Sequence, residues 1–195
     1  NRGSIVTPLK DRIGSQILTH YPETIEIAKT ITSQEAALDS RQSSTIFIPE
    51  LAKDILEQIV FEARKSEYVD VKSGVSARLS ITAFENLVST AERRLLNSGD
   101  PKTVIRMSDF TGIIPAITGK IELVYEGEQE GAYNVALTLL GSAIKTLYSK
   151  IFPKIEKIEK QGVESSYDEI VSWFFNTSDD FEILDDILEK DYISI

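Results

Sequence analysis

IPELAKDILEQIVFEARKSEYVDVKSGVSARLSITAFENLVSTAERRLL, residues 48–96, is the stretch whose reading decides the fold. After Pro49, the apolar residues Leu51, Ile55, Ile59, Val60 and Ala63 recur at helical spacing, which predicts a helix through about residue 66. A second set, Ile81, Phe84, Leu87, Val88, Ala91 and Leu95, predicts a helix over about 80–96. Thr82 and Glu85 also fit a capping box, which would start that helix two residues later. Between the two, residues 68–76 read as a loop containing Gly74. A mainly α fold follows.

Moving toward the C-terminus, Asn97-Ser98-Gly99-Asp100-Pro101 is a stop signal. Ser108-Asp109 can cap a helix through about residue 117, and residues 125–131 (YEGEQEG) read as a polar hinge. A long apolar helix is expected over 132–152, ended or kinked by Pro153. Residues 167–192 fit two short amphipathic helices broken near 176–178. Their aromatic cluster Trp173-Phe174-Phe175 reads as core before it reads as interface.

Toward the N-terminus, residues 13–19 fit a short strand, and His20-Tyr21-Pro22 a turn. Thr32-Ser33-Gln34-Glu35 is a capping-box pattern, and helix is expected somewhere within 23–39. Residues 41–44 read as a polar linker, and no internal repeat or low-complexity stretch stands out.

Composition excludes several kinds of chemistry. The chain has 195 residues, 42% hydrophobic and 27% charged, as in ordinary globular proteins. It has no cysteine, which excludes disulfides, thiolate catalysis and cysteine-bound metals. Its one histidine, His20, argues against a dedicated zinc site, and a turn or capping role suits it better than catalysis. No apolar run reaches the roughly 20 residues needed to span a bilayer, and no signal peptide is recognisable. The net charge of −10 is uneven: from residue 163 onward ten carboxylates accompany Lys190 alone. Such a tail is repelled by nucleic-acid phosphates; it reads as a solvated helix surface or as a docking element for a basic partner. The chain begins at Asn1 rather than at methionine, so a piece of a longer polypeptide is expected.

Two arginines carry the functional reading: Arg12 in LKDRIG (9–14) and Arg78 in SGVSARLS (73–80). Each sits in a short polar break beside regular structure. A guanidinium keeps its charge at physiological pH and offers a planar fork of donors to phosphate oxygens. The bland alternatives are a surface ion pair between Arg12 and Asp11, and a capping or packing role for Arg78. Arg93 and Arg94, farther along the same helix, read as solvated or salt-bridged.

Pro8-Leu9-Lys10-Asp11-Arg12-Ile13-Gly14 resembles the LLDRFG segment of AAA+ ATPases of the magnesium-chelatase/MoxR branch, and the residues around Arg78 resemble their sensor-2 motif. Asn1-Arg2-Gly3 is similar to the stretch after sensor 1, residues 106–119 to the last lid helix, and YEGEQEG to a segment of a bacterial magnesium-chelatase-like subgroup. The likeness is good over residues 1–131 and weak beyond.

The resemblance implies the end of an AAA+ α/β core over 1–45 with at most one or two short strands, a helical lid over 46–126, and a helical acidic extension over 127–195. It implies that Arg12 is a finger reaching ATP on the neighbouring subunit, that Asp11 orients it, and that Arg78 contacts phosphate within its own subunit. ATP and Mg2+ are implied for the full-length protein, with none expected on this chain alone. Also implied are a ring of identical subunits, a partner with a von Willebrand A-type domain, a cytoplasmic location, and protein remodelling or metal-insertion support. No membrane or nucleic-acid partner is implied.

The chain departs from that family in one respect. It has no P-loop, whose backbone amides cradle phosphate, and no strand ending in paired acids. GIIPAITGKI (112–121) has its glycines too far apart and reads as a helix and its exit. This piece alone should therefore be inactive. The competing reading is a helical interaction module with an acidic docking tail and no nucleotide chemistry.

Overall fold

A computed structural model describes residues 11–15, 17–71, 74–152, 166–177 and 187–194. The chain is mainly helical, with one very small parallel sheet.

Helix α1, Ile25–Glu35, starts at Thr24, whose hydroxyl accepts from the Ile27 amide. Thr32 is therefore inside this helix and caps nothing; it is buried, and its hydroxyl donates to the Glu57 carboxyl. The expected linker at 41–44 is helical instead. Helix α2, Ser40–Thr45, is nucleated by a reciprocal Asp39–Gln42 capping box that satisfies two amides otherwise left open. It leads into strand β1, Ile46–Phe47, which pairs in parallel with β2, Thr103–Val104, in the register Ile46 to Thr103 and Phe47 to Val104.

The two helices of the opening stretch form as expected. Helix α3 is Glu50–Lys65 and helix α4 is Ala77–Ser98. Gly99 closes α4 in the left-handed conformation, φ 75°, where a side chain would be strained. Helix α4 begins earlier than the apolar pattern predicts, which puts Arg78 in its first turn. Leu79, on the buried stripe, extends the core contact by that extra turn. The loop before α4 is pinned by an isolated antiparallel bridge between Val69 and Leu123.

After β2, a 3-10 helix, Met107–Ile113, runs into α5, Ile114–Thr118. The expected cap at Ser108-Asp109 is displaced: Arg106 occupies the cap position, and Asp109 reaches back to the Arg106 amide at 2.8 Å. The polar hinge is also helical, as α6, Tyr125–Glu130; Gly131, at φ 90°, separates it from α7, Ala132–Ile151. Helix α7 packs along α3 and sends Val135, Ala136, Leu139, Ala143 and Leu147 into the core shared with α3, α4 and the 3-10 helix. Burial of a valine or leucine side chain contributes about 1.5–3 kcal/mol. One core cluster therefore draws its described members from Ile46 through Leu147.

Helices α8, Ser166–Asn176, and α9, Glu189–Ser194, complete the described elements. The predicted break after 176 is present, but Ile187 and Leu188 lie outside α9; Phe181 and Leu184 lie outside the described residues. Trp173, Phe174 and Phe175 are exposed, against the expectation of a core position. The expected strand at 13–19 is absent from its described residues, and Ile13, Ile17 and Leu18 are exposed. An extended segment needs a neighbouring edge for its backbone groups, and no described strand lies beside it.

Candidate functional site

Arg78 is the second residue of α4. The cap residue Ser76 makes no side-chain hydrogen bond to the helix; its carbonyl accepts from the Leu79 amide at 3.0 Å. The side chain of Arg78 is exposed. Among the described residues it takes part in no ion pair or hydrogen bond. A guanidinium at a helix N-terminus is repelled by the helix dipole, and an anion placed there would relieve both. The capping alternative for Arg78 therefore has no contact to support it.

Asp11 and Arg12 lie in an exposed turn. Among the described residues they form no ion pair with each other or with any other side chain. No described interaction joins Arg12 to Arg78. A finger acting on a neighbouring subunit and a lid residue acting on its own would not need to meet within one chain.

His20 is exposed, beside Tyr21. Tyr21 stacks on the Arg64 guanidinium, whose carbon is 4.2 Å from the ring centroid. Burial lowers the pKa of Arg64, while Tyr21 and Glu57 oppose that shift.

Two buried polar clusters were not anticipated from the sequence. In the first, Glu57 sits between α1, α3 and α4 and is 1% exposed. Its carboxyl accepts from the Thr32 and Ser80 hydroxyls, the latter at 2.8 Å. Burial nevertheless dominates and raises its pKa above the ordinary range. In the second, Arg94 bridges Asp109, Thr103 and the Val104 carbonyl, and Arg106 meets Glu189 at 2.8 Å. The salt-bridged reading of Arg94 holds, whereas Arg93 is exposed. One sequence signal was available: Arg94 is three residues after Ala91 and seven after Leu87, on the buried stripe.

Among the described residues no group of three or more His, Cys, Asp or Glu side chains is placed to hold a metal ion. Likewise, no described helix is long and apolar enough to cross a membrane. Compared with family models, curated proteins and solved structures, the chain matches none of them.

Proposed function

We propose that this chain is the C-terminal portion of an AAA+ ATPase of the magnesium-chelatase/MoxR branch, contributing Arg12 and Arg78 to ATP hydrolysis in a ring. The observation that carries the reading is the exposed Arg78, unpaired among the described residues, in the first turn of a 22-residue helix whose cap makes no side-chain bond. That arrangement suits an anion: the guanidinium supplies charge and the helix N-terminus favours negative charge. In the full-length protein the anion is the phosphate chain of ATP, with Mg2+ held by residues outside this chain. Arg12, free of Asp11, is available to a neighbouring subunit. There it stabilises charge on the transferred phosphoryl group, a role worth roughly a thousandfold or more. Lid movement coupled to hydrolysis then drives protein remodelling or supports metal insertion in the cytoplasm, with a von Willebrand A-type protein as the expected partner.

ATP turnover of the native-length protein tests this. Arg12→Ala and Arg78→Ala should each lower turnover by at least about a hundredfold. Mixing the Arg12 variant with a P-loop variant should restore part of the activity, because each supplies what the other lacks across the subunit boundary. Unchanged turnover in both single variants would remove the proposal.

One observation favours a second reading, a helical interaction module with an acidic docking tail. Trp173, Phe174 and Phe175 are exposed on a helix that also carries Asp168 and Glu169 in its first turn. Solvent-facing aromatics of this kind are the usual anchors of protein interfaces. Under this reading the native-length protein hydrolyses no ATP.

A further inference from the structure

Helix α9 is held in a groove by contacts that cross more than eighty residues of sequence. The Glu189 carboxylate accepts from Arg106 Nη2 at 2.8 Å and from Thr103 Oγ1 at 2.9 Å, and lies 3.6 Å from Arg94 Nη1. The Glu189 amide donates to Asp100 Oδ2 at 2.9 Å, capping the short helix. One turn on, the Tyr192 ring covers the Arg106 guanidinium at 3.9 Å.

Part of the receiving side is held independently of the segment: Arg94 is fixed by Asp109, Thr103 and the Val104 carbonyl. Arg94, Thr103 and Arg106 are all buried, and they hang from α4, β2 and the start of the 3-10 helix. Arg94 is already neutralised by Asp109, but Glu189 is the one carboxylate that Arg106 meets among the described residues. With Glu189 and Tyr192 in place Arg106 is buried, and a buried cation is strongly unfavourable without a partner, so an occupant that covers Arg106 must also supply a carboxylate. Glu189 arrives on a helix of six residues, far too short to persist alone in water. Beside Glu189 a cavity of about 420 Å³ continues along the small sheet between Ser43, Phe47, Lys102 and Val104, leaving space next to the docked turn.

We propose that this groove is a recognition site for an acidic–aromatic peptide turn of the pattern Glu-x-x-Tyr. The chain's own Glu189 and Tyr192 occupy it, and a partner peptide of the same pattern binds by displacing them. Arg106 reads both positions, donating to the carboxylate from its edge and carrying the ring on its face. The tethered segment competes at an effective concentration on the order of millimolar, so the site is closed to weak ligands until that segment leaves. The proposal stands apart from the nucleotide reading, and neither depends on the other.

The probe is a fluorescent peptide with the sequence of residues 187–194, titrated into the whole chain. A Glu189→Ala/Tyr192→Ala chain, unable to fill its own groove, should bind the peptide about tenfold or more tighter than wild type. A peptide carrying Gln for Glu and Ala for Tyr should not bind. Equal binding by both chains, or binding that ignores the peptide changes, overturns the proposal. Association of the double variant with wild-type chain but not with peptide would assign the groove to a second copy and equally overturn it. Should the double variant fail to fold by circular dichroism, displacement in wild type decides. Excess unlabelled peptide should speed hydrogen exchange of the chain's own amides 189–194; unaltered exchange at saturating peptide refutes the site.

Discussion

Arg94 and Asp109 form a two-point ion pair with little access to water: Arg94 Nε lies 3.1 Å from Oδ1 and Nη2 2.8 Å from Oδ2. The pair bolts the 3-10 helix to the last third of α4. Asp109 also accepts from the Arg106 amide, and Arg94 from its other edge donates to Thr103 and to the Val104 carbonyl. One carboxylate and one guanidinium thus fix three segments at once.

Asp109→Ala would leave the Arg94 cation buried and under-paired, and is expected to lower the free energy of unfolding by about 3–5 kcal/mol in urea titrations. Removing both charges together, as Arg94→Met with Asp109→Leu, should cost less than the single change, because no isolated charge is then buried. A loss below about 1 kcal/mol for Asp109→Ala would show that the pair contributes no more than an ordinary hydrogen bond.

Glu57 is expected to set a pH dependence of stability. Its folded pKa is raised above the ordinary value of 4.5, chiefly by burial and against the Thr32 and Ser80 hydroxyls and the charges of Arg64 and Lys29. The folded state therefore holds the proton more tightly than the unfolded chain. The resulting stability is fully present below the unfolded pKa and is lost as pH rises through the folded value. Melting temperatures from about pH 4 to about pH 8 should fall more steeply for wild type than for Glu57→Gln, which carries no titrating group there. Parallel curves would mean that Glu57 ionises in the fold without cost.

Gly112 has a packing role. A Cβ added there would collide with the Thr90 hydroxyl and stand within 3.0 Å of the rest of that side chain. The 3-10 helix lies close against α4 because nothing projects from Gly112. Gly112→Ala is expected to destabilise by about 1–3 kcal/mol, measured by chemical unfolding. The loss should shrink when Thr90→Ala removes the hydroxyl and methyl in the way. An undiminished loss in that background would place the strain elsewhere.

Part of the architecture was legible in the order of residues. Helices α3 and α4 follow from apolar side chains at helical spacing, and the end of α4 from Gly99. The 41–44 linker and the 125–131 hinge were misread for one reason: polar residues signal exposure, and short exposed helices are polar too. Asp39 with Gln42 was the missed signal for α2. Trp173, Phe174 and Phe175 show the converse error, since apolar character predicts burial only where a surface is present to receive it.

The candidate nucleotide residues, Asp11, Arg12 and Arg78, were named from sequence alone, and their described surroundings leave all three exposed. The groove that holds Glu189 and Tyr192 was not foreseen. Arg106 gave no pattern, and Glu189 was one of ten acids in a tail that reads as solvated. Arg94 alone carried a hint, through its place on the buried stripe of α4.

The sequence by itself determined a mainly helical chain, the two central helices, the stop at Gly99 and the acidic bias after residue 163. Periodicity, capping and charge act over a few residues, so they can be read along a line. Only the tertiary structure decided which charges go inside. The partners Arg94 and Asp109 are 15 residues apart, and Arg106 and Glu189 are 83 apart. A buried ion forms only where the fold brings its counter-ion within hydrogen-bond reach, because desolvation outweighs any attraction acting at a distance.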